Sequence, residues 1–296
     1  MAEFSSNNNS HFSPHPDYAE IVVVRHGETA WNATAKIQGH LDVELNETGR
    51  EQAAVVGDRL SRESKVSVIY SSDLQRAFET AEIIASKCGG LEVVKDSELR
   101  ERHLGDLQGH VYHEIAKTNP LAYKAFVSKN EDEEIPGGGE SLVQLFDRST
   151  SALLRIGLKH KGERIIVVTH GGFIRALYKW ACPNGRPGKV LNTCVSVFHL
   201  YGEEKCTLKV WGDVSHLSKT GFLESGFGGD RNSETEQEDK NEIAETRLRG
   251  ELNYGNGMWL HSILSTWMLH DGPFNVPTCS LSYNFNTTTS LISTLP

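Results

Sequence analysis

The chain has no apolar run approaching the 20 or so residues that a transmembrane helix needs. Its first 16 residues also lack arginine and any apolar segment of signal-peptide length, so neither a secretory signal nor an organellar transit peptide is indicated. These absences predict a cytoplasmic protein with no membrane partner.

The sequence has few cysteines, and their spacing matches no metal-binding or disulfide pattern. The five cysteines form no Cys-x-x-Cys pair, and their odd number gives no complete disulfide framework. This usage is typical of a reducing compartment, where the thiols are simply buried. We expect no metal site and no bound cofactor.

An excess of basic residues is also absent. The chain has 30 Lys and Arg against 39 Asp and Glu, a net charge of −9. Nonspecific nucleic-acid binding needs a basic surface, so no nucleic-acid partner is expected. A local basic pocket remains compatible with a negative total.

Strand and helix patterns alternate only in the central part of the chain. Residues 1–17 are rich in Asn, Ser, His and Pro and predict a disordered lead-in, and residues 218–296 predict a polar, disordered tail. Between them, residues 18–217 predict one α/β domain, a three-layer α/β/α sandwich around a mostly parallel sheet. Residues 104–140 have weak periodicity, with a helix near 112–118, and predict a small cap insertion.

Local signals set the expected element boundaries. The apolar, β-branched residues 21–24 and 165–168 predict strands covered on both faces. Thr48 and Glu51 have capping-box spacing at the start of a helix that extends to about residue 61. Residues 71–73, Ser-Ser-Asp, offer N-cap side chains for the next helix.

The first strand stops at Arg25-His26-Gly27-Glu28-Thr29, and Asn32 follows shortly. In open α/β sheets, ligands bind at the carboxyl ends of such strands. An arginine fork matches phosphate, and histidine can act as a nucleophile near neutral pH. Gly27 would let the backbone approach a ligand closely.

Two further strand ends carry similar chemistry. One strand ends in His170-Gly171, and another leads into a helix with Arg76 on its first turn. If the three strand ends converge, their arginines, histidines and helix-start N–H groups would surround a dianionic phosphate with donors.

Four ordered motifs strengthen this interpretation. They are Arg25-His26-Gly27-Glu28-Thr29 with Asn32, Ser72-Asp73-Leu74-Gln75-Arg76-Ala77, Glu98-Leu99-Arg100-Glu101, and Thr169-His170-Gly171-Gly172. In order and spacing they resemble the histidine phosphatase superfamily, the phosphoglycerate-mutase-like family. The resemblance extends over about residues 18–216.

This resemblance implies a role for each matching residue. The catalytic residues would be His26, Glu101 and His170. His26 would be the nucleophile that forms a phosphohistidine, and His170 would bind the phosphoryl oxygens. Glu101 would be the acid, although Glu98 and Asp106 compete for that role. The substrate-binding residues would be Arg25, Thr29, Asn32, Arg76 and Gly171. Because fixed arginines can stabilise phosphoryl transfer, the chemistry needs no metal. His26 must be neutral at its attacking nitrogen, so its other nitrogen should bond a backbone acceptor.

Three functions share these motifs: a phosphatase, a bisphosphoglycerate-dependent mutase, and a non-catalytic module that binds a phosphorylated ligand. Members of the mutase branch carry an arginine pair in a longer cap, whereas residues 104–140 contain no arginine and include the acidic run 131–134. We therefore predict a metal-independent phosphatase acting on a small phosphorylated metabolite, as a monomer or homodimer. Tyr112, Tyr123 and Phe126 of the cap favour a partly hydrophobic leaving group.

Overall fold

The computed structural model describes residues 17–203 and 205–218. The expected lead-in and tail lie outside these residues, apart from residues 17 and 218 at their edges. Within the described ranges, no helix is long and apolar enough to cross a membrane.

A six-stranded sheet with the order β3-β2-β4-β1-β5-β6 forms the centre of the fold. Strands β1, β4, β2 and β3 run parallel, whereas β5 is antiparallel to both β1 and β6. The predicted mostly parallel sheet is therefore confirmed. The strands are β1 (Ala19–Arg25), β2 (Ile69–Ser71), β3 (Val93–Lys95), β4 (Arg164–Thr169), β5 (Val195–Tyr201) and β6 (Lys205–Asp213).

Helices cover both faces of the sheet and build the cap segment, residues 104–140. Helices α2 and α3 pack against each other on one face, and α6 and α7 do so on the other. The helices are α1 (Ala30–Ala33), α2 (Glu47–Leu60), α3 (Gln75–Lys87), α4 (Ile115–Thr118), α5 (Pro120–Phe126), α6 (Leu142–Lys159) and α7 (Gly171–Ala181).

The first strand shows why the sheet is covered on both sides. Successive side chains of a strand point to opposite faces. Ile21 and Val23 belong to the apolar core that includes residues of α6 and α7, and Val22 and Val24 belong to the core beneath α2 and α3. All four are fully buried, so the β-branched run is the centre of a three-layer sandwich.

The cap segment has an apolar cluster of its own. Ile115, Phe126 and Ile135 pack there with Ile37 from the loop after α1. The predicted helix near 112–118 is present as a 3₁₀ turn, Tyr112–Glu114, followed by α4. The weak periodicity gave no indication of α5, whose N-cap is Asn119.

The predicted capping box of α2 is wrong. The helix begins at Glu47, and its N-cap is Asn46, whose side chain accepts a hydrogen bond from the Gly49 N–H at 2.8 Å. Asn46 also donates from Nδ2 to Glu28 Oε1 at 2.7 Å, which ties the start of α2 to the loop after β1. Tertiary contact with that loop therefore places the helix start two residues before Thr48.

This difference makes a matched pair of variants informative. We expect Asn46→Ala to lower the free energy of unfolding by about 1 kcal/mol or more, because an N-cap bond is lost. Thr48→Ala should change it by less than about 0.5 kcal/mol, since Thr48 caps nothing. Denaturant unfolding of both variants measures this, and a larger loss in Thr48→Ala would contradict the assignment.

Candidate active site

Parallel pairing brings three strand ends to one edge of the sheet. Arg25 lies opposite Thr169 in the β1–β4 ladder, and Ser71 lies opposite Val168 in the β2–β4 ladder. The chain therefore leaves β1 at His26 and β4 at His170 side by side. The two imidazole rings are tilted, with their centroids 5.1 Å apart.

His26 is buried, and its tautomer is fixed by the backbone. Its Nδ1 lies 2.7 Å from the Gly27 carbonyl oxygen, which can only accept, so Nδ1 carries the proton and Nε2 presents a lone pair. This is the backbone tie that a nucleophilic histidine was predicted to have. Burial, reinforced by the charges of Arg76 and Arg25, holds the pKa of His26 well below its ordinary value.

Gly27 packs closely against the protein. A Cβ at this position would lie 2.3 Å from the Gly49 carbonyl oxygen at the start of α2. The Gly27 N–H donates to Thr80 Oγ1 at 3.0 Å, from helix α3. Gly27 therefore locks the loop after β1 against two helices.

Two arginines with about 1% of their surface exposed flank the histidines. Arg25 Nη1 donates to the Val190 carbonyl at 2.6 Å. Arg76 donates from Nη1 to the Leu41 carbonyl and from Nη2 to the Gly39 carbonyl, at 3.0 and 2.8 Å. Backbone carbonyls therefore help to fix the position of both guanidinium groups.

One N–H donor of the Arg76 side chain is available to a ligand. Its Nε is buried and has no hydrogen-bond partner within the described part of the chain. Burial, together with the charge of Arg25, lowers the pKa of Arg76 to about 10, so the side chain stays charged at neutral pH. A buried charged donor without an acceptor is costly, and an anion would satisfy it.

His170 is the N-cap residue of α7 and is fully buried. Its Nε2 lies 2.8 Å from Ser72 Oγ, and its Nδ1 has no partner among residues 17–203 and 205–218. Burial, with the charges of Arg76 and Arg25, holds the pKa of His170 well below its ordinary value. His170 is therefore a second neutral imidazole facing the same point.

Of the three acids considered from sequence, only Glu101 is buried. Glu98 and Asp106 are exposed, whereas Glu101 is 3% exposed and accepts from the Gly172 N–H with Oε1 at 2.9 Å and Oε2 at 3.2 Å. Gly172 lies in the first turn of α7, where backbone N–H groups lack helical partners. The start of this helix thus holds both the carboxyl group and His170.

A further ion pair fixes the loop that carries Glu101. Arg148 of α6 donates to both carboxylate oxygens of Glu140, at 2.7 and 2.8 Å, and to the Glu101 carbonyl at 3.1 Å. It also donates to the carbonyls of Glu98 and Arg100. Although burial acts in the opposite direction, the bond from Arg148 holds the pKa of Glu140 below its ordinary value. We name this pair, Arg148 with Glu140, the loop clamp.

The remaining predicted residues lie at the same edge. Thr29 caps α1: its Oγ1 accepts from the Asn32 N–H at 3.0 Å, and Asn32 Oδ1 in turn accepts from the Thr29 N–H at 3.0 Å. Gly171 begins α7, and a Cβ there would lie 3.7 Å from Arg25 Nε and 3.8 Å from Glu101 Oε2. A side chain at Gly171 would therefore project between the arginine and the acid.

Several positioning residues were not found from the sequence. Asn192 Nδ2 donates to the His26 carbonyl at 3.0 Å, and the Thr193 N–H donates to the Arg25 carbonyl at 3.1 Å. Thr193 has φ of 53°, which a β-branched residue rarely adopts. No local pattern marks this loop, whereas Ser72 stood within a quoted motif and could have been included.

In the described ranges, no group of three or more His, Cys, Asp or Glu side chains is arranged to hold a metal ion. What converges is a neutral imidazole with an available nitrogen, two buried guanidinium groups, a second neutral imidazole and a buried carboxyl group. This set suits nucleophilic attack on a phosphorus atom whose oxygens are held by fixed positive charge.

Comparison with known proteins agrees with this chemistry. The chain is 68% identical over 218 residues to a phosphoglycerate mutase-like protein 4 of Arabidopsis thaliana, covering 73% of this chain and 95% of that protein. It is 51% identical over 214 residues to a metal-independent phosphoserine phosphatase of the same plant, covering 72% and 90%. The crystal structure of phosphoserine phosphatase from Entamoeba histolytica in complex with 3-phosphoglyceric acid superimposes with a TM-score of 0.58 and 28% identity, covering 67% of this chain and 99% of that one.

A family model also matches residues 21–214, from the centre of β1 to just beyond β6. The match includes all three strand ends and the cap segment. With the site assembled as described, the chain belongs to the histidine phosphatase superfamily, branch 1.

Proposed function

We propose that His26 is the nucleophile of a metal-independent phosphatase that hydrolyses small phosphomonoesters through a phosphohistidine. The observation that carries this proposal is the His26 ring itself. Its Nδ1 bonds the Gly27 carbonyl, and the buried Arg76 and Arg25 are near enough for their charges to add to burial in lowering the pKa of the ring. The family membership and the phosphatase relatives support the enzyme class.

In the first step, His26 Nε2 attacks phosphorus, the ester P–O bond breaks, and the leaving alkoxide takes a proton from protonated Glu101. In the second step, water attacks the phosphohistidine and gives a proton to Glu101. The P–N bond then breaks and releases inorganic phosphate, which returns His26 and Glu101 to their starting states. Glu101 is thus acid and then base.

Fixed charge stabilises both transition states. We assign Arg25 and Arg76 to the phosphoryl oxygens, with Arg76 Nε as one donor. If Ser72 donates to His170 Nε2, the proton of His170 resides on Nδ1, which then faces the phosphoryl group as a donor. The Asn32 amide and the Gly171 N–H complete the set, and Thr29 acts by holding Asn32.

The relatives suggest where to begin with substrates. Phosphoserine is the first candidate because a relative at 51% identity is named for it. The mutase alternative has a named relative too, but residues 104–140 carry no arginine for a second phosphate. Release of phosphate without bisphosphoglycerate distinguishes the phosphatase from the mutase.

Cytoplasmic location and a monomer or homodimer remain predictions. The location is supported by the thiols of Cys88, Cys194 and Cys206, which are free within the described part of the chain.

His26→Ala should abolish turnover, because no phosphohistidine can form. We expect wild type mixed with labelled substrate to yield an acid-labile phosphoenzyme on quenching, and His26→Ala to yield none. The exposed His113→Ala is the matched control and should retain both signals. Undiminished turnover by His26→Ala would contradict the nucleophile assignment, and absence of turnover in wild type would favour the binding module.

Acid should destabilise the fold through its buried histidines. Below pH 6.5, histidines of the unfolded chain take up protons, whereas His26 and His170 stay neutral because their pKa values are lowered in the fold. The unfolded state then binds more protons, so the free energy of unfolding falls as the pH drops from 6.5 to 5, by up to about 1.4 kcal/mol per pH unit for each histidine.

Denaturant unfolding across this pH range measures the effect. His170→Gln should reduce the slope relative to wild type, whereas His113→Gln should not, because its side chain lies in solvent in both states. An unchanged slope in His170→Gln would show that His170 is not held neutral.

The loop clamp should matter most when the leaving group needs a proton. We expect Arg148→Gln to lower kcat/KM for an alkyl phosphate at least about ten-fold more than for p-nitrophenyl phosphate, whose leaving group departs without protonation. Arg155→Gln, which removes an exposed arginine of the same helix, is the control. Equal losses on both substrates would mean that the clamp is only structural.

A further inference from the structure

The loop between α1 and α2 presents a histidine that the proposed mechanism leaves unused. The carbonyls of Gly39 and Leu41 accept hydrogen bonds from Arg76 of α3, at 2.8 and 3.0 Å. Between them, the His40 N–H donates to Gln108 Oε1 of the cap segment at 2.7 Å. Contacts with two other segments therefore fix the backbone on both sides of His40, so its imidazole extends from a rigid base.

The imidazole of His40 reaches from this loop to the loop that carries Glu101. Its Nε2 lies 2.6 Å from the Glu101 carbonyl oxygen, which can only accept, so Nε2 carries a proton and donates the hydrogen bond. Burial holds the pKa of His40 below its ordinary value, although the bond to this carbonyl acts in the opposite direction. The ring is therefore neutral at neutral pH, and the bond to Glu101 uses its one N–H group.

A second contact joins the same two loops and orients the ring of His40. The rings of His40 and His103 meet edge to face, with their centroids 4.8 Å apart and an angle of 83° between their planes. His103 is held in its own loop by two bonds, since its N–H donates to Glu140 Oε2 at 2.8 Å and its Nδ1 accepts from the Gly105 N–H at 3.2 Å. His40 therefore meets the Glu101 loop at two points, through its N–H and through its ring.

We propose that His40 is a positioning residue, which holds Glu101 at a fixed place relative to Arg76. The inference rests on the proposed phosphatase function and adds a supporting residue to it. The loop of residues 39–41 binds the arginine through two carbonyls and the peptide of the acid through the imidazole, so the phosphoryl-binding group and the acid have a common support. Arg148 also donates to the Glu101 carbonyl, but from α6, which lies on the opposite face of the sheet from α3.

The position of Glu101 matters most when the leaving alkoxide must be protonated as the P–O bond breaks. Because kcat/KM reports the steps up to release of the alcohol, it separates this role from the later attack of water. Loss of the His40 bond should therefore lower kcat/KM for alkyl phosphates far more than for p-nitrophenyl phosphate, whose leaving group departs without protonation. A merely structural role would lower both alike.

Asparagine and glutamine at position 40 separate the hydrogen bond from the rest of the side chain. The amide nitrogen of glutamine reaches about as far from the backbone as the histidine Nε2, whereas that of asparagine reaches only to the Nδ1 position. With the full-length chain, we expect His40→Asn to lower kcat/KM about ten-fold for the fastest alkyl phosphate of a panel that includes phosphoserine and 3-phosphoglycerate. His40→Gln, which can still donate to the Glu101 carbonyl, should stay within about three-fold of wild type.

Two further measurements show whether the phosphoryl site itself stays intact. In His40→Asn, kcat/KM for p-nitrophenyl phosphate should fall less than about three-fold, because that step needs no acid. The inhibition constant of vanadate should also change less than about three-fold, because Arg76 is bonded to backbone carbonyls that the substitution retains. The exposed His113→Asn is the matched control and should alter none of these values.

The outcomes separate this inference from the proposed function. The positioning role would be overturned, while the phosphatase stands, by equal losses on alkyl and aryl esters in His40→Asn, by an equal loss of vanadate inhibition, or by similar kcat/KM in His40→Asn and His40→Gln. Hydrolysis of p-nitrophenyl phosphate alone by wild type would also overturn it, because Glu101 would then protonate no leaving group. If His40→Asn does not fold, His40→Ser gives the same comparison. Failure of wild type to hydrolyse any of the esters would overturn both the inference and the proposed function.

Discussion

The parallel pairing of β4 with β1 on one side and β2 on the other is the constraint on which the rest of the site depends. It fixes the relative height of three strand ends, so that His26, His170 and Ser72 leave the sheet at one edge. The alternating burial of residues 21–24 holds β1 between two helical layers, and a slip of one residue would reverse both faces. The packing of the core therefore sets the relative positions of the residues in the site.

Burial also sets the charge state of the site. Arg25 and Arg76 are almost fully buried, and both donate hydrogen bonds to backbone carbonyls. Their fields and the loss of water keep both histidines neutral, which is the form that a nucleophile requires. In the proposed mechanism, a phosphoryl group brings its negative charge to these two arginines. In that mechanism, substrate affinity and activation of the nucleophile have one physical source.

Sequence reasoning succeeded where short-range pattern and core burial agree. The strand ends at His26 and His170 follow apolar runs, and Arg76 follows a strand by a fixed helical offset, so the convergence of these residues was predictable. Helix starts were less predictable. Asn46 rather than Thr48 caps α2 because Asn46 also bonds Glu28 across the fold, and Asp73 pairs with Arg100 instead of capping α3. The sequence offered several suitable N-cap residues for each helix, and contacts with distant parts of the chain determined where the helix begins.

Residues that act at long range gave no signal at all. Arg148 reaches the Glu101 loop from the middle of α6, and Thr193 supports Arg25 from a loop that precedes β5. Each is set by a contact between segments far apart in the chain, and nothing in the neighbouring residues distinguishes it.

The most direct test of a single phosphoryl site is a crystal structure with vanadate, which mimics the transferring phosphoryl group. We expect vanadium bonded to His26 Nε2, with its oxygens in hydrogen-bond contact with Arg25, Arg76 Nε and His170 Nδ1. Vanadate bound away from His26, or bound there without Arg76 and His170, would contradict the convergence of the three strand ends on one reacting phosphorus.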